Sequence, residues 1–146
     1  MLVVPGHCLA QASREFLQLY PTARILVADD DAGMRDLLAA VLRRDGYEVT
    51  VSEDGDALMD TVSKFPEGTF DLVISDIQMP RVSGLRVLAT IRRQHPRLPV
   101  VLITAFGSAE MHREAARLGA TKVLDKPFKV ADLRELVGDL LQLEPV

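Results

Sequence analysis

Three adjacent aspartates, Asp29, Asp30 and Asp31, directly follow an apolar run in the segment ILVADDDAG, residues 25–33. Carboxylates this close repel one another, and withdrawing them from water adds a further cost. One of the three can serve as the N-cap of a following helix, where an aspartate accepts main-chain N–H groups. The remaining two aspartates indicate a site with a chemical task.

Three further polar residues end apolar segments in the same way: Asp76 follows DLVIS, Thr104 follows VVLI, and Lys126 follows KVLD. If these residues meet, the carboxylates of Asp29, Asp30 and Asp76 require a cation, and Mg²⁺ suits such oxygen ligands. Lys126 adds a positive charge and Thr104 a hydroxyl donor. A carboxylate among these groups can act as a nucleophile on phosphorus, which would give an aspartyl phosphate.

An alternation of strands and helices would bring these residues to one edge of a sheet. Strands are predicted near residues 25–28, 47–52, 71–75, 99–105 and 121–126. Helical spacing of apolar residues predicts helices over 32–46, 55–65, 85–95, 109–119 and 130–144. We therefore predict a single doubly wound α/β domain with a five-stranded parallel sheet over residues 24–143, because right-handed crossovers join such strands.

The predicted domain is flanked by an N-terminal extension, residues 1–23, and a short tail, residues 144–146. A short amphipathic helix would fit the segment CLAQASREFLQLYP within the extension, which Pro21 would end. The three histidines, His7, His95 and His112, are predicted to lie at the surface.

The composition excludes several classes of protein. The 146 residues carry a formal net charge of −4, which gives no sign of general nucleic-acid affinity. Cys8 is the only cysteine, so neither an intrachain disulfide nor a cysteine-based metal site is expected. The opening segment MLVVPGHCLA is too short and too broken to act as a secretory or membrane-spanning segment. We expect a cytoplasmic protein.

Four separated motifs together resemble the receiver domains of two-component response regulators: ILVADDD, DLVISDIQMPRVSGL, VVLITAFGS and GATKVLDKPF. The resemblance extends over nearly all of residues 24–143 and implies a flavodoxin-like, receiver-type fold. It also implies that Asp76 accepts a phosphoryl group from a histidine kinase. Asp30 and Asp76 would bind Mg²⁺ directly, together with the main-chain carbonyl of Gln78, and Asp29 would bind it through water or orient the site.

The remaining site residues are also given by the resemblance. Thr104 and Lys126 would contact the phosphoryl group and report its presence, and the Lys126–Pro127 peptide bond is expected to be cis. Catalysis would be limited to the domain's own phosphorylation and dephosphorylation. The implied partners are a sensor histidine kinase or phosphotransfer protein and a downstream protein or fused output domain of the enhancer-dependent type. Direct binding of nucleic acid or membrane is not expected, and a phosphorylation-dependent homodimer is a family property.

The chain departs from the family pattern at Val123. Receiver domains commonly carry an aromatic residue three places before the lysine, and valine has no comparable swing between a buried and an exposed rotamer. Movement of Thr104 and of the loop AFGSAE would still bias the following helix. Phe106, two places after Thr104, is a candidate gate for water, and replacing it with alanine would then change the rate of dephosphorylation.

Two alternatives stay open from the sequence. A phosphate-independent interaction module is favoured by Val123 and disfavoured by the intact site residues. An aspartate-nucleophile phosphohydrolase would use Asp29 and Asp31, which have the spacing of a nucleophile and a second acid, but it leaves Asp76 unexplained. A dinucleotide oxidoreductase would need glycines after the first strand, where this chain has DDDAG.

Overall fold

The computed structural model describes residues 22–141. Five strands alternate with five helices along the chain. The strands are β1 (Arg24–Ala28), β2 (Glu48–Ser52), β3 (Leu72–Asp76), β4 (Val100–Thr104) and β5 (Lys122–Asp125). The helices are α1 (Ala32–Arg44), α2 (Gly55–Lys64), α3 (Gly84–Gln94), α4 (Ala109–Leu118) and α5 (Val130–Leu141). The predicted fold class is confirmed.

All neighbouring strands pair in parallel, in the order β2-β1-β3-β4-β5. The chain leaves β1 toward one side of the sheet and crosses to the other side before β3, so the order reverses at β1 and β3. The carboxyl ends of two strands on either side of such a point form a crevice that is not covered by a connection. The aspartates that follow β1 and end β3 therefore lie at this crevice.

Two hydrophobic clusters lie on opposite faces of the sheet and hold the helices in place. One contains side chains of α2, α3 and α4, and the other contains side chains of α1 and α5. Strands β3 and β4 are buried along their whole length, and β1 is buried except at Arg24. This pattern is expected for parallel strands covered on both faces, and it explains their continuous apolar runs.

Local signals fix where the helices begin and end. Asp31 caps α1 by accepting the main-chain N–H groups of Gly33 and Met34. Ser108 caps α4 in the same manner, and α4 ends at Gly119, whose φ of 101° suits glycine. The strand and helix boundaries predicted from the sequence lie within about three residues of these, apart from the end of the last segment, 142–144, which lies outside the described residues.

Two side chains, those of His95 and Leu37, differ in exposure from what their residue type and spacing indicate. The prediction that His95 lies at the surface is wrong: its side chain is 8% exposed, and its Nε2 lies 3.1 Å from the carbonyl oxygen of Val62. Leu37 has helical spacing with the apolar residues of α1 but is 46% exposed, because α1 turns only one stripe toward the sheet.

The predicted extension lies, apart from residues 22 and 23, outside the described residues. No helix in residues 22–141 has the length and apolarity that a membrane crossing requires.

Candidate functional site

An acidic cluster formed by Asp29, Asp30 and Asp76 lies at the carboxyl edge of the sheet. Asp29 and Asp30 follow β1 directly, and Asp76 is the last residue of the neighbouring strand β3. Each of the three offers a carboxylate oxygen, and these oxygens all lie within 4.8 Å of one another. Asp29 and Asp76 are buried, whereas Asp30 is exposed. The structure thus brings together the three carboxylates named from the sequence.

The carboxylate of Asp29 lies in electrostatically unfavourable surroundings. Its Oδ1 accepts the main-chain N–H of Asp31 at 2.9 Å, but its buried Oδ2 has no hydrogen-bond partner. Burial raises the pKa of this carboxyl, and the nearby carboxylates of Asp76 and Asp30 raise it further. Lys126 and the hydrogen bond from Asp31 act in the opposite direction without cancelling the effect.

Lys126 brings a positive charge to the carboxylates at this edge. It follows β5, two strands away from β3, and its long side chain reaches back across the end of β4. Its Nζ lies 3.2 Å from Asp76 Oδ2 and 3.8 Å from Asp29 Oδ2. The Lys126–Pro127 peptide bond is cis, as predicted. One ammonium group therefore lies between two buried carboxylates.

Asp76 is held rigidly through its backbone and one carboxylate oxygen. The main-chain N–H of Gln78 donates to Asp76 Oδ1 at 3.1 Å, and the hydroxyl of Ser75 donates to the main-chain oxygen of Asp76 at 2.9 Å. A Cβ at Gly84, the first residue of α3, would overlap the main-chain oxygen of Asp76. Gly84 thus permits α3 to begin directly against the end of β3.

Thr104 is fully buried at the end of β4, and its hydroxyl is engaged within the protein. The hydroxyl donates to Gln78 Oε1 at 3.1 Å and accepts the main-chain N–H of Phe106 at 3.0 Å. The sequence interpretation gave Gln78 a role through its main-chain carbonyl and missed the role of its side-chain amide. The sequence held no signal for this contact, because the register that pairs Asp76 with Ile103, and so places Gln78 beside the end of β4, is seen only in the structure.

The residues of the edge fit a divalent cation. Three carboxylates face one ammonium group, which leaves two negative charges uncompensated among these four side chains. The unpartnered buried Oδ2 of Asp29 is an additional ligand atom that the protein does not use elsewhere. Hard oxygen donors with net negative charge are the set that Mg²⁺ selects. Asp31 does not belong to this set, since its carboxylate caps α1.

Two other positions singled out from the sequence lie away from the carboxylates. Val123 is partly buried in β5 and packs against the hydrophobic cluster that α4 covers. Phe106 lies in the loop after β4 with its side chain 73% exposed. The hypothesis that Phe106 gates water at the site stays a prediction.

A family model described as the response regulator receiver domain matches residues 25–138. The response regulator protein FleR of Pseudomonas aeruginosa is 36% identical over 116 residues, which cover 80% of this chain and 24% of FleR. The transcriptional regulatory protein FixJ of Bradyrhizobium diazoefficiens is 35% identical over 122 residues, which cover 83% of this chain and 58% of FixJ. The chain thus spans from about a quarter to somewhat more than half of the length of these relatives.

A solved structure supports the same assignment at the level of the fold. The response regulator protein TrrA from Thermotoga maritima, crystallised in complex with Mg²⁺ and BeF, is 34% identical with a TM-score of 0.72. The match covers 82% of this chain and 100% of that chain.

Proposed function

Because the chain belongs to the response regulator receiver domain family, we propose that it is a phosphorylation-controlled switch whose phosphoacceptor is Asp76. One observation carries the assignment of the residue: at the crevice of the sheet, Lys126 Nζ lies 3.2 Å from the carboxylate of Asp76 and 3.8 Å from Asp29 Oδ2, which has no hydrogen-bond partner. Its carboxylate is therefore held in place, beside positive charge and at the edge that a phosphodonor reaches.

Asp29, Asp30 and Asp76 would hold Mg²⁺, with the main-chain carbonyl of Gln78 as a further ligand. When bound, the ion would offset the carboxylates and the oxygens of an incoming phosphoryl group. The unpartnered Oδ2 of Asp29 and the excess of negative charge support this assignment.

The reaction we propose is a displacement at phosphorus. A carboxylate oxygen of Asp76 forms the new P–O bond while the bond to the donor breaks. From a phosphohistidine of a kinase, the imidazole nitrogen leaves with the electron pair and takes up a proton from water. From acetyl phosphate, acetate leaves with the electron pair and needs no proton. Lys126 Nζ, 3.2 Å from Asp76 Oδ2, offsets charge on the transferred group.

Thr104 supplies the response to phosphorylation in this proposal. Its single O–H now donates to Gln78 Oε1, so it can donate to a phosphoryl oxygen on Asp76 only after leaving that amide. Since the same hydroxyl accepts from Phe106 N–H, its movement draws the loop after β4 along. A hydrogen bond exchanged between two acceptors gives the two states that a switch requires.

A histidine kinase or phosphotransfer protein is the partner we propose upstream. A cleft of about 420 Å³ beside Lys126 is lined by Met34, Leu37, Pro127 and Phe128. Apolar side chains next to the site fit the docking of a partner helix that presents a phosphohistidine. Downstream, a fused output domain is proposed, since FixJ bears the name of a transcriptional regulatory protein and is longer than this chain. Phosphorylation-dependent dimerisation and a cytoplasmic location are part of the same proposal.

A phosphate-independent interaction module is the second candidate, because Val123 packs into the hydrophobic cluster and offers no aromatic reporter. The phosphohydrolase alternative is weakened by Asp31, whose carboxylate accepts two main-chain N–H groups as the cap of α1. Both hydrogen bonds end on Oδ1, so one oxygen of this carboxylate is committed to the cap of α1.

Intact mass spectrometry after incubation with acetyl phosphate tests the proposal. We expect one phosphoryl adduct on the wild-type protein, dependent on Mg²⁺ and absent from Asp76→Ala. The matched control is Asp60→Ala, which removes an exposed aspartate paired with Lys64 on α2 and should leave the adduct in place. An adduct that persists on Asp76→Ala would refute the assignment of Asp76. A wild-type protein that takes no phosphoryl group from either acetyl phosphate or a cognate kinase would favour the phosphate-independent module.

A further inference from the structure

His112 and Asp125 form a hydrogen-bonded pair that joins α4 to the last residue of β5, outside the acidic cluster. His112 Nε2 lies 2.9 Å from Asp125 Oδ1 and 3.1 Å from Oδ2. Asp125 directly precedes Lys126 in the chain and is the register partner of Thr104. The pair therefore connects a helix to the two residues on which the proposed switch depends.

The loop after β4, residues 105–108, approaches this pair closely at Gly107. A Cβ at Gly107 would overlap Asp125 Oδ1 and would lie 3.0 Å from His112 Nε2. The loop backbone thus passes so close to the paired side chains that a Cβ at position 107 would have to displace the Asp125 carboxylate. Any displacement of the loop at Gly107 has to disturb the contact with Asp125.

The same loop is joined to Thr104 by hydrogen bonds. Phe106 N–H donates to Thr104 Oγ1 at 3.0 Å, and Lys126 N–H donates to the main-chain oxygen of Thr104 at 2.7 Å. His112 N–H donates to the main-chain oxygen of Ser108, at the start of α4. Thr104 is therefore hydrogen-bonded both to the loop that leads to the helix of His112 and to Lys126, the residue that follows Asp125.

We propose that the His112–Asp125 pair is a positioning latch that holds the loop in the arrangement in which Thr104 donates to Gln78. The proposal rests on the proposed function, since it concerns the transfer of Thr104 to a phosphoryl group on Asp76. The latch stabilises the unphosphorylated arrangement, because the pair and the close approach of Gly107 belong to the loop position seen in this structure. Breaking the latch shifts the population toward the phosphoryl-bound arrangement.

The expected size of the effect follows from the exposure of the pair. The side chains of His112 and Asp125 are 37% and 53% exposed, so water screens their interaction. We expect the shift in population to be about two- to fivefold. The pair is thus suited to setting the balance of the switch and not to carrying its chemistry.

Titration with beryllofluoride in the presence of Mg²⁺, followed by the amide resonances of residues 105–108, tests the latch. His112→Ala removes one partner, and Gly107→Ala displaces Asp125 sterically while leaving both partners and all charges present. We expect half-saturation at about two- to fivefold lower beryllofluoride in each variant, with free-state resonances moved toward their bound positions. Glu114→Gln is the matched control, because it breaks the exposed Glu114–Arg117 pair on the same helix.

Further comparisons separate a latch from a general structural effect. The double variant Gly107→Ala/His112→Ala should respond no more strongly than either single variant, because both break the same contact. His112→Gln keeps an N–H donor and should return half-saturation toward the wild-type value. Unchanged half-saturation in both single variants, or full additivity in the double variant, would overturn the latch alone. A wild-type domain that does not respond to Mg²⁺ and beryllofluoride would overturn the proposed function and the latch with it.

Discussion

Asp29 and Arg92 are charged groups at opposite edges of the same sheet, the first fully buried and the second partly buried, and they differ in how the protein surrounds them. Arg92, near the end of α3, donates to the main-chain oxygens of Gly119, His95 and Leu98, in the loops that precede β4 and β5. Asp29, after β1, keeps one buried oxygen without a partner and has two further carboxylates beside it. Burial shifts both pKa values toward the neutral form, lowering that of Arg92 and raising that of Asp29.

The difference shows that burial of a charge does not by itself indicate function. At the amino edge, main-chain carbonyl groups accept three hydrogen bonds from Arg92, so its guanidinium ties the loop before β4 to the loop before β5. At the carboxyl edge, neighbouring carboxylates repel one another and one buried oxygen has no hydrogen-bond partner. A bound cation would supply the missing positive charge. A better indication of a ligand-binding site is therefore buried charge that the protein itself does not neutralise or hydrogen-bond.

The largest change in stability is expected at the amino edge of the sheet, where Arg92 lies. Arg92→Ala removes the side-chain donor of the Gly119 and Leu98 oxygens and one of the two donors of the His95 oxygen, and it should lower the free energy of unfolding by about 3 kcal/mol. Urea unfolding at neutral pH measures this loss. The matched control is Arg93→Ala, whose exposed side chain should change stability by less than about 0.5 kcal/mol. Equal losses in the two variants would show that the three hydrogen bonds of Arg92 do not stabilise the fold.

At the carboxyl edge of the sheet, we expect substitution of Asp29 to raise the free energy of unfolding instead of lowering it. Asp29→Asn removes a buried charge that lies beside two carboxylates and shares Lys126, 3.8 Å away, with Asp76, and it should raise the free energy of unfolding by about 1 to 2 kcal/mol at neutral pH without Mg²⁺. Because burial raises the pKa of Asp29, the folded protein holds its proton more tightly than the unfolded chain, whose value is near 3.8. The contribution of Asp29 to the stability of the wild type therefore falls as the pH rises from 3.8 through the raised pKa, and the advantage of the variant grows over that window.

Mg²⁺ should reverse this ranking, because the proposed ion site, formed by Asp29, Asp30 and Asp76, is assembled only in the folded state. At a hundredfold excess over Kd it stabilises a protein by about 2.7 kcal/mol, and Asp29→Asn should lose most of that gain. Urea unfolding with and without Mg²⁺, between pH 4 and pH 7, separates the two effects. Asp30→Asn is the control, since its exposed charge costs little in the free protein while its loss still weakens the ion's site. A variant Asp29→Asn that is less stable than the wild type without Mg²⁺ would contradict the account of Asp29.

The sequence was informative where one physical rule acts alone. Continuous apolar runs gave β1, β3 and β4, and the polar residues that end them gave the positions of Asp29, Asp76 and Thr104 at one edge. Topology then required these positions to converge, since the carboxyl ends of parallel strands share an edge. Asp31 could be assigned to the cap of α1 because of its place before a helical pattern.

What the sequence could not give were contacts between side chains from distant segments. His95 looks like a surface residue at the end of a polar helix turn, yet its ring is buried against Val62 of α2. The same holds for Gln78 with Thr104 and for His112 with Asp125, because neither spacing nor periodicity records which side chains meet across loops. Such pairs depend on loop geometry, which hydrophobic patterns do not encode.

The smallest effect concerns strain in the loop that joins Asp76 to α3. Arg81 is the described non-glycine residue with a positive φ, 69°, a region that costs side chains with a Cβ about 1 kcal/mol. Arg81→Gly relieves this cost but gives the unfolded chain more freedom, so a net gain of about 0.5 kcal/mol is expected. Its contact with Asp56 is exposed and 3.8 Å long, so losing it matters little. Arg81→Ala loses the same contact without relieving the strain, and urea unfolding should therefore place it below Arg81→Gly. If the alanine variant is at least as stable as the glycine variant, the turn is not strained, and the carboxyl edge differs from the amino edge only in its charges.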